Sequence, residues 1–365
     1  MKKVRYAVVG LGHIAQTAIL PAFEHAKDNS ELMALVSSNE RKRRELGRKY
    51  GVRTLHDYDE FDDLLDSGMI DAIYLATPNS EHSSYAIRAA EAGVHVLCEK
   101  PLAVSEEECE AMIEAARANG VKLMTAYRLH FERANLEAIE KIRSGALGDP
   151  RLFVSTFSFQ VKAGNNRLDA SLGGGPLFDI GVYCVNAARY LFGDEPFEVC
   201  ALGGHGSDPR FAQVHQSVGA VMRFPDDRIA SFAVGFGAHA VAAYRLVGTK
   251  GELHLDPAYE YRGALHRTAT SGGRRREKIY PEGDQFAPEI LYFSRCILED
   301  REPEPSGVEG LADVRVIRAL LRSLETGEAV ALPRFEKGER PSLSQLYREP
   351  PVKAPQPIAA DAPTL

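Results

Sequence analysis

In GGGPLFDIGVYCVN, residues 173–186, an acid, a phenol and an amide (Asp179, Tyr183 and Asn186) interrupt an apolar run at steps of four and three. At about 100° per residue of helix these steps place all three within roughly 40° of one another on one face. The remainder reads as a buried helix, with three glycines leading in, Pro176 suited to the first turn, and Leu177, Phe178, Ile180, Val182 and Val185 as bulk. Such a stripe holds groups that accept, donate and exchange protons. It is either part of a site or an internal hydrogen-bond network. A second candidate is Lys100, which follows the apolar run Val94–Cys98 and precedes Pro101. Proline biases the residue before it toward extended backbone, so Lys100 leaves the strand end without entering a helix.

The elements around these residues follow from periodicity. Val4–Val9 is a β-rich run followed by Gly10-Leu11-Gly12-His13-Ile14-Ala15 and a helical pattern to Ala26. A GxGxxA motif between strand and helix is a dinucleotide signature: Gly10 permits the tight turn, and Gly12 lets the amides of the helix start, around His13 and Ile14, approach a pyrophosphate. A second strand, 32–37, ends in Ser37-Ser38-Asn39-Glu40-Arg41-Lys42 before a helix over 39–50. A carboxylate at this strand end would hold a ribose 2′-hydroxyl, whereas small hydroxyls followed by cations suit a 2′-phosphate. NADP is therefore the expected cofactor, with Ser37, Arg41 and Lys42 as contacts and Ser38 and Asn39 beside them. The other reading of these cations is an exposed basic helix start.

Further strands over 71–76, 94–98 and 122–126 alternate with helices, the one over 105–119 opened by Ser105 with Glu108 three residues on. This is the pattern of a doubly wound parallel sheet, whose ligands sit beyond the carboxyl ends of the strands. Gly10, Ser37, Asn79, Lys100 and Tyr127-Arg128 all fall at such ends. The cofactor set read there adds Thr77, Pro78, His82, Glu99, Lys100 and Arg128.

Beyond residue 150 the pattern changes to strand runs at 152–159, 197–203, 216–224, 229–237 and 244–248, with a hairpin turn at Pro225-Asp226-Asp227. The expected class is α/β, a Rossmann domain over 1–126 plus an α+β domain with a mostly antiparallel open sheet over 127–332. One face of that sheet needs cover from a second subunit, giving a homodimer or homotetramer. Helical segments near 286–300 and 309–326 are read as returning to the first domain. The basic run Gly272–Lys278 reads as a solvated hairpin tip. Residues 333–365 hold seven prolines and read as an arm without its own core, draped over a neighbour or loose.

The 365 residues carry a net charge of −7, with a pI near 5.9 and mean hydropathy −0.24. That balance argues against nucleic acid and anionic membranes as partners. No apolar run approaches the roughly 20 residues that span a bilayer. Five scattered cysteines without CxxC spacing and eleven histidines without HExxH suggest reduced thiols in the cytoplasm and no metal site.

With GLGHIA, TPNSEH, CEKPLAV and GGGPLFDIGVYCVN in this order, residues 3–330 resemble the Gfo/Idh/MocA family of sugar-type oxidoreductases. ALVSSN, YRLHF and Tyr183 in place of a histidine are most similar to its glucose-fructose oxidoreductase branch. The resemblance implies that Lys100, Asp179 and Tyr183 are the catalytic group, that the nicotinamide lies near Asn79 and Pro101, and that Arg167 joins Lys100, Asp179 and Tyr183 in touching a sugar. A phenol, with an ordinary pKa of about 10, is a poor base near neutrality. A neighbouring ammonium favours its ionised form by about 1–3 units, and Lys100 would also stabilise a developing alkoxide. Asp179 would orient sugar hydroxyls or Lys100, and Asn186 would support the helix. Unlike that branch, the sequence starts at the first strand without an export signal or cofactor-shielding arm, which favours an exchanging cofactor.

The leading expectation is hydride transfer between C1 of an aldose and NADP, with a second sugar as acceptor where cofactor is retained. The alternatives are an ordinary aldose dehydrogenase or keto-sugar reductase, and a regulator that binds cofactor without catalysis.

Overall fold

A computed structural model of the chain describes residues 2–364. They form two compact units. One contains the chain up to Arg128 with Gly283–Leu311 and Tyr347–Pro363; the other contains Leu129–Glu282, Ala312–Leu346 and Thr364.

The first unit is built on six parallel strands, β1 (Val4–Val9), β2 (Ser30–Val36), β3 (Thr54–His56), β4 (Ala72–Leu75), β5 (His95–Glu99) and β6 (Leu123–Ala126), in the order β3-β2-β1-β4-β5-β6. This is the dinucleotide-fold order, reversing direction between β1 and β4. β4 and β6 are buried at every residue, as parallel strands covered on both faces require. The sequence shows no strand signal at β3, whose three residues complete the edge beside Ala34–Val36. Helices Glu40–Tyr50, His82–Glu91 and Glu106–Ala118 follow their strands, with Asn39 and Ser105 capping the first and third through the Lys42 and Glu108 amides. The helix Ala287–Leu298 returns to this unit and is pinned by Ser294, whose hydroxyl lies 2.7 Å from both Tyr6 Oη and Ser30 Oγ.

The second unit carries nine strands: β7 (Pro150–Gln160), β8 (Glu198–Gly204), β9 (Ser217–Phe224), β10 (Arg228–Gly235), β11 (Gly237–Gly248), β12 (Gly251–Leu255), β13 (Leu265–Ser271), β14 (Arg274–Tyr280) and β15 (Val330–Ala331). They form one open sheet in the order β14-β13-β12-β11-β7-β10-β9-β8-β15, antiparallel except for the β7–β10 pair. Alternation along β7 and β9 sends Phe153, Ser155, Phe157, Val218 and Met222 inward. The helix Val182–Phe192 lies on this inner side, where Cys184 Sγ meets Ser155 Oγ at 3.3 Å. The opposite face leaves Leu152, Val154, Val221 and Leu202 exposed. Strands β13 and β14 escaped the sequence reading because LHRTATS and RRREKIY are largely polar, and β12 because GELHL is short. The basic run is half turn and half strand: Gly272 and Gly273 take positive φ, and exposed arginines line β14 at the sheet edge. Charge on an edge strand opposes the addition of a foreign strand.

Asn186 lies low on the stripe and is structural. Its carboxamide bridges His130 Nε2 and Asp313, each at 2.8 Å. Asp313 also meets the fully buried Arg189 at 2.5 Å, and Arg189 in turn meets Glu195 at 2.6 Å. The terminal arm is not coreless in the expected sense. Arg340 adds to this network at Glu195 (2.7 Å), and Tyr347 stacks under Arg295 in the first unit.

Glu137 ties the helix Arg133–Arg143 to the β13–β14 hairpin by accepting from Lys278 (2.6 Å) and Tyr280 (2.8 Å), and it also accepts from Arg133 (2.8 Å). Burial works against its charge, but these donors outweigh it and bring the carboxyl down to about 2. A depressed folded-state pKa stabilises the fold above the ordinary value near 4.3 and loses that contribution as pH falls toward 2. Glu137→Gln should therefore cost about 2 kcal/mol in denaturant unfolding at pH 7, with the deficit vanishing near pH 2.

Candidate functional site

In the first unit the chemistry-bearing residues occupy three turns locked in series. Gly10 has φ +94°, and a Cβ there would lie 2.4 Å from Ala76 O, so the glycine turn after β1 passes directly against the turn after β4. His82, fully buried, spans from that turn to the next: Nε2 lies 3.1 Å from Thr77 O and Nδ1 lies 2.9 Å from Pro101 O. Burial lowers the pKa of this imidazole. His82 is thus a brace between two turns. Glu99 closes the series, accepting from Tyr74 Oη (2.9 Å) and from the Lys100 amide (3.3 Å). Burial raises the pKa of Glu99 against the opposing pull of the Lys100 charge.

Around Gly12 the geometry is open, and a Cβ added there meets nothing within 4 Å. The amides that begin the helix follow this glycine directly, and the first amides of a helix are the groups that receive an anion. The helix itself begins with a π turn, Ala15–Ile19. At the end of β2, Ser37 is buried and its Oγ accepts from the Asn39 amide at 3.3 Å. Arg43, which sequence reasoning passed over, braces this turn by donating to Ser37 O while pairing with Asp57 at 2.6 Å. Arg41 pairs with Glu45 (2.7 Å) and Arg44 with Glu40 (3.4 Å). Lys42 is half-buried, has no ion pair among the described residues, and its pKa is lowered by burial. The residues present fit a dinucleotide with a 2′-phosphate: an open glycine turn for the pyrophosphate and a desolvated ammonium beside Ser37. Arg128 is buried and donates to Gln285 Oε1 at 2.5 Å, a partner contributed by the returning segment.

In the second unit, Asp179 stands in a π turn, Leu177–Gly181, continued by the helix that carries Tyr183. The wider turn shifts residues 179 and 183 from regular α-helical spacing. Arg167 reaches across from the preceding loop and places Nε 2.5 Å from Asp179 Oδ2. The expected sugar contact is therefore also the counter-ion of the expected catalytic carboxylate. Burial opposes the Arg167 charge, but Asp179, with Tyr183 and Tyr261, outweighs it and raises the pKa. The Tyr183 ring packs edge-on to Phe157 at 5.6 Å and tilted to Tyr259 at 5.9 Å. This unit therefore presents a clamped carboxylate one turn before a phenol in an aromatic setting. Among the described residues no cluster of histidine, cysteine or acidic side chains could hold a metal, and no helix is long and apolar enough to cross a membrane.

Residues 4–127 match the model of the oxidoreductase family with an NAD-binding Rossmann fold, and residues 135–254 match the GFO/IDH/MocA C-terminal domain. The chain belongs to the Gfo/Idh/MocA oxidoreductase family. It is 32% identical to the D-xylose 1-dehydrogenase [NADP(+)] of Haloarcula marismortui, over 90% of this chain and 93% of that protein. Among solved structures, the aldose-aldose oxidoreductase from Caulobacter crescentus, complexed with glycerol, is 40% identical with a TM-score of 0.86, covering 91% of this chain and 100% of that one. A 3-ketoreductase from Actinomadura kijaniata, in complex with NADP and TDP-benzene, is 26% identical with a TM-score of 0.81, covering 88% and 98%.

The two glycines separate fold from binding. Gly12→Ala should fold with unchanged thermal stability, since its Cβ enters open space, yet weaken dinucleotide binding at least about tenfold in a fluorescence titration. Gly10→Ala should lose both binding and thermal stability, because its Cβ collides with backbone.

Proposed function

We propose that this oxidoreductase uses NADP to oxidise an aldose at C1, with Lys100, Asp179 and Tyr183 as its catalytic residues. The observation that carries the reading is the Arg167–Asp179 pair one turn before Tyr183, a carboxylate fixed in place beside a proton-exchanging phenol. The identity to an NADP-dependent xylose dehydrogenase and to an aldose-aldose oxidoreductase supports the same substrate class.

When bound, NADP supplies the hydride acceptor. Asp179, held by Arg167, accepts hydrogen bonds from sugar hydroxyls and orients the reacting carbon. Tyr183 in its phenolate form takes the C1 hydroxyl proton as hydride leaves that carbon, and the phenol so formed returns the proton in the reverse direction. The Lys100 ammonium stabilises the negative charge that develops on the sugar oxygen. Lys42 and Ser37 bind the 2′-phosphate, while the amides around Gly12 receive the pyrophosphate.

A sugar-to-sugar transfer with retained NADP is the fuller form of this reading. An ordinary dehydrogenase that exchanges cofactor is the second, favoured by the similarity to the Haloarcula enzyme. The exposed apolar face carrying Leu152, Val154, Val221 and Leu202 suits burial against a second copy, as a homodimer or homotetramer. Five free cysteines suit a reducing, cytoplasmic setting.

Tyr183→Phe should lower kcat by about 10²-fold or more with the NADP dissociation constant unchanged; unaltered turnover would remove Tyr183 from the mechanism. Lys42→Ala should raise KM for NADP about tenfold without raising KM for NAD. Purified protein given an aldose without added cofactor should gain absorbance at the reduced-nicotinamide band, and lose it on addition of a ketose or lactone, if cofactor is retained. Activity solely with supplied NADP would establish the exchanging dehydrogenase.

A further inference from the structure

Gln16 is a polar side chain only 1% exposed, within a helix turn whose neighbours Ala15, Ala18 and Ile19 are apolar and buried. Its carboxamide is fully engaged. Nε2 donates to Leu11 O (2.9 Å) and Ile358 O (3.0 Å), and Oε1 accepts from Ile358 N (2.7 Å). Leu11 is the middle residue of the Gly10-Leu11-Gly12 turn, and Ile358 belongs to the proline-rich terminal segment. That segment is laid along the first unit at separate points: Tyr347 on Arg295, Glu349 bridged to Asp284, and Ile358 on Gln16. One side chain therefore joins the end of the chain to the carbonyl side of the turn whose amide side is open.

We propose that residues 347–363 form a strap that retains the dinucleotide, and that Gln16 is the positioning residue through which it acts; this rests on the dinucleotide reading of the glycine turn. A turn that must present amides to a pyrophosphate is held by fixing its opposite, carbonyl side, and Gln16 does so at Leu11 while gripping the Ile358 backbone from both its N–H and its C=O. Pro350, Pro351, Pro355 and Pro357 restrict the segment before it docks, so little chain entropy is lost when it lies down. The coupling is reciprocal: whatever the docked strap adds to dinucleotide affinity, bound dinucleotide adds to docking of the strap. The slowest cofactor exchange then belongs to the strapped form, and the choice between retained and exchanging cofactor is made by the end of the chain.

The test uses the full-length protein and two variants of one residue. Ile358→Pro removes the N–H that Gln16 accepts, while Ile358→Ala keeps both backbone groups. NADPH dissociation is followed by stopped-flow fluorescence, and docking by trypsin cleavage after the exposed Lys353, with and without NADP. NADP should slow that cleavage in the parent and in Ile358→Ala. In Ile358→Pro the protection should vanish and the NADPH off-rate should rise about tenfold, the scale set by losing buried hydrogen bonds, with kcat at saturating NADP within error of the parent. Gln16→Ala should reproduce the faster release. Normal NADPH binding with an unchanged off-rate in Ile358→Pro, or cleavage at Lys353 indifferent to NADP, would overturn the strap alone. A parent protein that binds no NADPH would overturn the dinucleotide reading and the strap with it.

Discussion

The approach of two backbones at Gly10 constrains everything else in the first unit. A turn whose Cβ position lies 2.4 Å from Ala76 O can be occupied solely by glycine, and that closeness fixes the ends of β1 and β4 against each other. From there the coupling runs outward through groups that are individually ordinary: the His82 ring between Thr77 O and Pro101 O, and Glu99 between Tyr74 and the Lys100 amide. The parallel sheet supplies strand ends that converge; these cross-links convert convergence into fixed relative position. A buried neutral imidazole has one N–H, so it donates to one of these two carbonyls and packs its other nitrogen against the second, filling the space between the turns.

The second unit solves a related problem with charge. On the proposed reading Asp179 must be held in one orientation, and Arg167 holds it through one contact at 2.5 Å. The π turn that carries Asp179 leaves it displaced from the regular helix beginning at Val182, and such turns recur where function demands an off-pattern side chain. The helix carrying Tyr183 is in turn fixed from below by Asn186, His130 and Asp313, and beside them by the buried Arg189. A polar stripe on a hydrophobic helix thus divides into Asp179 and Tyr183, which the proposed function uses, and Asn186, which supports the helix.

Much of this was legible in the residues themselves. Strand–glycine–helix order, the cap at Ser105 and the apolar strand before Lys100 are local consequences of side-chain type and spacing, and Asn186 already reads as support for the helix. What could not be read depends on partners distant in sequence. The Arg167–Asp179 pair crosses a loop with no periodicity, and the π turns follow from packing rather than propensity. β13 and β14 are strands through pairing with their neighbours, since their compositions lack the apolar alternation that marks a half-buried strand, whereas β12 alternates at Leu253 and Leu255 over five residues alone. The terminal segment reads as coreless because its docking uses backbone bonds at Glu349 and Ile358, which composition does not register. Gln16 did leave one trace, a lone amide among small and apolar residues after the glycine turn.

The cations after β2 show why composition and site must be weighed separately. The chain as a whole is acidic, at −7, and a run of four cations in it would ordinarily be a solvated surface. Three of the four are neutralised locally, by Glu45, Asp57 and Glu40. Lys42 is the one that is half-buried and lacks such a partner among the described residues, and burial has already weakened its hold on its proton. An ammonium in that state has lost hydration without recovering it from a carboxylate, so a dianionic phosphate placed against it restores the missing interaction at little further desolvation cost. A ribose hydroxyl restores far less. On the proposed reading, selectivity for the phosphorylated dinucleotide resides in that one charge, and Arg43 acts by bracing the turn that presents it.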